Sequence, residues 1–139
     1  ESTIAEKLEA ILQRMEATSR MKDFYDLYYL SGMFDFDDHI LKAVESTLKH
    51  RQRELKETVL EEIRDFADSN FLLTQWQAFE PAKESALAFQ DVLDRLEIFL
   101  RPVYESILSH KDLKAKWESK TKKWRSKMNY ELISFQKAD

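Results

Sequence analysis

An all-α fold, a compact bundle of about six helices, follows from three features of these 139 residues. Only one Gly and two Pro occur, so the turns that sheets need are scarce. Leu, Lys, Glu and Ala dominate, and these are strong helix formers. Apolar residues recur at three- and four-residue spacing, the period of one helix face. The length suits one domain that buries roughly two thirds of its unfolded surface. No internal repeat or low-complexity linker divides it. Residues 1–110 therefore read as a helical core and residues 111–139 as a basic helix and tail of the same domain.

The first helix opens on a capping box, Thr3 with Glu6, and continues through Ile4, Leu8, Ile11, Leu12 and Met15. Lys7 and Arg14 flank that stripe two turns apart. After Ala17-Thr18-Ser19 a second helix runs to Ser31-Gly32, where Gly is the expected stop. Phe24, Leu27 and Tyr28 form its packing face, and Asp23 and Asp26 sit with Lys22 elsewhere on its circumference. Asp37 or Asp38 caps a third helix through Ile40, Leu41, Val44 and Leu48. A fourth is carried by Val59, Leu60, Ile63, Phe66 and Ala67, then Ser69-Asn70 punctuates before Phe71–Phe79, and Pro81 closes that section. The longest helix is expected from about Glu84 to Ser109 on the seam Phe89, Val92, Leu93, Leu96, Phe99, Leu100, Val103, Tyr104, Ile107 and Leu108. Pro102 removes the hydrogen bond to the Ile98 carbonyl, so a kink or break is expected there. A last helix places Leu113, Trp117, Trp124 and Met128 on one face and Lys116, Lys120, Lys123 and Lys127 on the next.

Composition excludes several classes. There is no Cys, hence neither a disulfide framework nor a thiolate metal site. No apolar run approaches the roughly 18 residues of a membrane span, and the start lacks a signal pattern, so a soluble cytoplasmic protein with no membrane association is the expectation. Charge is uneven: residues 1–110 carry 13 Lys and Arg against 22 Asp and Glu, whereas residues 111–139 carry 9 against 4. Such a basic end points toward nucleic acid, although solvated helix faces account for most charge runs of this length. His39, His50 and His110 stand far apart and read as ordinary surface or boundary residues.

Two blocks carry more specific information: Ala5-Glu6-Lys7-Leu8-Glu9-Ala10, and Arg20-Met21-Lys22-Asp23-Phe24-Tyr25-Asp26-Leu27. They resemble the later motifs, "AEKL.A" and "R.KD..DL", of the AbiEii/AbiGii toxin family of nucleotidyltransferases, and Phe99-Leu100-Arg101-Pro102-Val103 is similar to the family's closing "FL.PV" run. The resemblance implies transfer of NMP from a nucleoside triphosphate to an RNA or protein acceptor, in the bacterial toxin–antitoxin and abortive-infection setting, with a cognate antitoxin protein as partner. It implies Lys7, Asp23 and Asp26 as catalytic residues, with Lys7 on the nucleotide phosphates. Asp23 would serve as a ligand to Mg2+, and Arg14, Arg20 and Lys22 would neutralise phosphate. No stretch resembles the family's Gly-Ser … Asp-x-Asp metal-binding motif, and the chain begins at Glu1 rather than Met. The expectation is therefore a C-terminal helical half, inactive alone, whose site is completed by an upstream domain.

Other readings compete. An Asp pair three residues apart beside Arg and Lys is commonly a surface ion-pair network, which would make the chain a helical interaction module. Lys116, Lys120, Lys123 and Lys127 with Trp117 and Trp124 interleaved could bind tRNA or other RNA, the rings stacking on bases, or the Trp face could close the core. Phe24 and Tyr28 read as core, and Tyr25 and Tyr29 stay open.

Overall fold

The computed structural model describes residues 3, 4, 6, 7, 21–50 and 58–126. Thr3, Ile4, Glu6 and Lys7 are helical, and Ile4 is buried in the core. The rest of the expected first helix, with Arg14 and Arg20, lies outside the described residues, as do Lys127, Met128 and the tail. Six α-helices follow among the described residues: α1 Met21–Met33, α2 His39–His50, α3 Val59–Asp65, α4 Asn70–Ala78, α5 Glu80–Ser85 and α6 Phe89–Ser109, with a 3-10 turn at Phe66–Asp68 between α3 and α4. A small antiparallel hairpin, β1 Ala115–Glu118 and β2 Lys123–Ser126, completes the fold. The architecture is helical, as the composition predicts.

α6 organises the core. It touches α1, α2, α3, the 3-10 turn and β2, and buries Phe89, Val92, Leu93, Leu96, Phe99, Leu100, Val103 and Tyr104, the seam read from the sequence except for Ile107 and Leu108, which are half-buried. Phe24 of α1 meets Phe66 and Phe89 edge-on at centroid distances of 6.1 and 5.3 Å. Such contacts add about 0.5–1.5 kcal/mol each beyond area burial. α2 buries Ile40, Leu41, Val44 and Leu48, all four of its expected positions, and Asp37 starts it by accepting a hydrogen bond from the His39 N–H at 3.0 Å. Ser69 caps α4 by accepting from the Leu72 N–H at 3.2 Å.

Four sequence expectations are corrected. The last segment is a hairpin rather than a helix: Trp117 pairs with Trp124 and Lys116 with Arg125, and Phe36 bonds both ways with the Trp117 backbone, at 2.7 and 3.2 Å. Tryptophan burial decides this outcome, because Trp117 is fully enclosed and its Nε1–H donates to the Ser31 carbonyl at 2.7 Å, a closure that one helix face does not supply. The long helix does not start at Glu84. Pro81 opens a separate α5 in its first turn, and Ala86 ends it in the left-handed conformation, φ 54°. Of the kink or break expected at Pro102, the break does not occur, and α6 runs through it. The carbonyl that Pro102 leaves unbonded belongs to Ile98, a residue 53% exposed, where solvent can replace the missing donor. Finally, Gly32 does not terminate α1, which continues to Met33 with no glycine at positive φ.

Candidate functional site

The two sequence blocks meet in space. α1 places Asp23 inward, buried in the core beside Phe24, and Asp26 nearly one turn further along. Lys7, arriving from the first helix, sets its Nζ 2.7 Å from Asp26 Oδ2 and 3.7 Å from Asp23 Oδ1. The Asp23 side chain is only 8% exposed, against 21% for Lys7 and 25% for Asp26. Burying a carboxylate is costly without a cation beside it, and Lys7 stands there. An ammonium carries three donors, and the shorter of these contacts occupies one. A lysine held between two carboxylates and still partly open to solvent can therefore donate to a further acceptor such as a phosphate oxygen.

Lys22 lies on the adjoining face, one helical turn from Asp26 at the i, i+4 spacing that makes side chains neighbours. It lines a groove between α1 and α4 with Met21, Thr74, Gln75, Ala78 and Phe79. Tyr25, left open by the sequence, packs edge-on against Phe79 at 5.5 Å and tilted against Tyr29 at 4.6 Å, behind this groove's Phe79. Nothing in the sequence marked Gln75 or Phe79, because α4 comes from a distant stretch of chain.

Asp23 and Asp26 do not form a metal centre by themselves. Both face Lys7, and Mg2+ calls for oxygen donors in octahedral array. Among the described residues the grouping with cation-holding geometry is Asp37, Asp38 and His39. It lies at the start of α2 with His39 already paired to Asp37 at 2.9 Å, apart from the motif residues. The hairpin separates the remaining candidates. Trp117 and Trp124 share the inner face, with the Trp124 Nε1–H donating to the Phe99 carbonyl at 2.8 Å, so the buried Trp117 ring does not stack on bases. Lys116 and Lys123 stand on the opposite face and Lys120 in the turn, all three exposed.

The family model described as nucleotidyl transferase AbiEii toxin, type IV TA system, matches residues 1–133. The chain belongs to this family. That match covers both blocks that supply Lys7, Asp23 and Asp26, along with α6 and the hairpin. No curated protein and no solved structure matches the chain. Family membership supports a nucleotidyltransferase-like, toxin–antitoxin role, and no helix among the described residues is long and apolar enough to cross a membrane.

Proposed function

We propose that this chain is the helical part of an AbiEii-type nucleotidyltransferase, supplying Lys7, Asp23 and Asp26 to an active site completed by a metal-binding domain elsewhere in the protein. The observation that carries this reading is the seating of the Lys7 ammonium between two carboxylates that the family's motif contributes. In the reaction, an acceptor oxygen on RNA or protein attacks the α-phosphorus of a nucleoside triphosphate. The bond to the bridging oxygen breaks, pyrophosphate leaves, and the acceptor's proton passes to solvent or a base. Negative charge grows on the departing pyrophosphate, and preorganised cations stabilise it. Lys7 would meet that charge, Asp23 and Asp26 would hold Lys7 in place, and Lys22, with Arg14 and Arg20, would add positive potential. The groove beside Lys22, walled by Phe79 with Thr74 and Gln75 at its edge, offers an apolar surface and polar groups suited to a nucleobase. Mg2+ would supply the Lewis acidity of the step and would be held principally by carboxylates of the metal-binding domain, with Asp23 in support. A cognate antitoxin would be the protein partner, and the setting would be the bacterial cytoplasm.

The competing reading is a non-catalytic interaction module, favoured by the fact that Lys7 is already engaged with both aspartates. Expression of the complete gene product with labelled nucleoside triphosphates and Mg2+ separates the two. Incorporation into RNA or protein that disappears in Lys7→Ala and Asp23→Ala, each shown folded by circular dichroism, supports the shared site. Absent incorporation, or incorporation indifferent to both changes, leaves the interaction module.

A further inference from the structure

Gly32 is the only glycine in the chain, and it lies inside α1 without the positive φ that favours glycine. A helical glycine costs stability relative to alanine, and no turn here repays it. What packs over its bare backbone is a pair of cationic side chains. A Cβ at Gly32 would stand 3.4 Å from Arg95 Nη1 of α6 and 3.6 Å from Lys122 Cε of the hairpin turn. The two side chains thus converge to within the sum of those distances, in a seam where both are half-buried.

Their surroundings hold them there. The Arg95 guanidinium lies 4.4 Å over the Tyr28 ring, and its Nη1 donates to Ser31 Oγ at 3.3 Å. Lys122, in the left-handed conformation at φ 57°, donates to the Ser119 carbonyl. Neither forms an ion pair among the described residues. Three carboxylates close by are engaged elsewhere, Asp35 accepting from the Ser119 N–H, Glu118 pairing with Arg125 and Asp94 accepting from Gln90, while Asp91, one turn before Arg95, is exposed and makes no ion pair with it. Two cationic side chains converging over one residue without a counter-ion among the described residues form an arrangement that an anion would relieve. Arg95 keeps Nε and Nη2 for a planar, bidentate contact, and Lys122 supplies a point charge.

We propose that Arg95 and Lys122 form a phosphate-binding site over Gly32, separate from the Lys7 cluster. Two sources share that chemistry: a free phosphate compound such as pyrophosphate, or the backbone phosphate of an RNA, whose path would continue along exposed Lys120 and Lys123. Calorimetric titration of the protein with pyrophosphate, and separately with a single-stranded RNA oligomer at several salt concentrations, tests the assignment. Binding is expected in at least one titration. It should weaken tenfold or more in Lys122→Gln, and likewise in Arg95→Met. Pyrophosphate binding without RNA binding identifies the free compound. RNA binding whose affinity falls steeply with salt, and more gently after Lys122→Gln, identifies the backbone. No binding of either probe, or binding that a folded Lys122→Gln leaves unchanged, overturns the proposal.

Discussion

Single residues show where the fold is satisfied and where it is not. Tyr104 is completely enclosed, and its hydroxyl has no hydrogen-bond partner among the described residues; burial pushes its pKa well above the ordinary tyrosine value. An orphaned buried hydroxyl costs about 1–3 kcal/mol, whereas the ring packs in the core seam of α6. Tyr104→Phe is therefore expected to keep the fold and raise urea stability by about 1 kcal/mol. A loss of stability in that variant would mean the hydroxyl has a partner. Ser31 is the reverse case, fully used: its carbonyl accepts from Trp117, its hydroxyl donates to the Tyr28 carbonyl at 2.8 Å and receives Arg95. The two family blocks imply that Lys7 and Asp23 serve one site, but nothing in the sequence shows that they pair with each other. Spacing within one helix says nothing about which residue of another helix arrives opposite. The tighter contact with Asp26, the Arg95 and Lys122 pair and the groove at Phe79 all depend on chain segments tens of residues apart, and local pattern is silent about them.

Elements were readable where their apolar period was long and unambiguous. α2 and α6 bury the positions that periodicity selects. The hairpin was not readable as one, because Leu113, Trp117, Trp124 and Met128 also fit a helical spacing, and the turn between its strands lacks the Asn-Gly or Asp-Gly pair that marks tight turns. Lys122 takes the left-handed position instead. The same substitution hides the end of α5. There the Leu87 N–H reaches the Ala82 carbonyl at 3.1 Å and the Ala86 N–H the Lys83 carbonyl at 3.2 Å, the bond pattern that usually closes a helix on glycine. Ala86→Gly should accordingly remove backbone strain and raise the midpoint of thermal unfolding, by about 1 kcal/mol of stability; an unchanged or lower midpoint would mean the strain is absent. Between elements, Arg64 of α3 grips Glu97 of α6, its Nε–H donating to Oε2 at 3.0 Å, and Arg101 joins the same carboxylate. The Arg64 hydrogen bond holds the Glu97 carboxyl below its ordinary value, partial burial works against that, and Arg101 adds to the lowering. Because the folded-state pKa is depressed, this contribution is complete above the unfolded-state value and disappears as pH falls through the folded one. Glu97→Gln should flatten that part of the acid-unfolding profile, and an identical profile would remove Glu97 from the account.

At the scale of the whole molecule, α6 joins two aromatic groups that would otherwise be independent. Near its start Trp76 packs on Phe89 at 5.2 Å, with its Nε1–H on the Leu87 carbonyl at 2.8 Å. Ten residues on, about 15 Å along the axis, Phe99 is enclosed by Trp117, Trp124 and Phe36 at 4.9, 5.9 and 5.6 Å. The hairpin adds cations to an acidic helical body, and charge alone would let it stand apart. Three features oppose that: the paired backbone of Phe36 and Trp117, the Ser31 carbonyl taken by Trp117, and the Phe99 carbonyl taken by Trp124. None of these bonds survives if α6 and the C-terminal end of α1 separate from the hairpin. The two ends should therefore unfold as one cooperative unit. In a Trp76→Phe protein, fluorescence follows Trp117 and Trp124; in a protein carrying Trp124→Phe with Trp76 retained, it gains weight from the other end. Both signals, with far-ultraviolet circular dichroism of the helices, should share one denaturant midpoint once each variant's own stability change is allowed for. A hairpin signal that melts before the helical one within the same variant would make the hairpin a separate folding unit. It would also mean that the Arg95 and Lys122 seam opens under conditions in which the Lys7 cluster is still assembled.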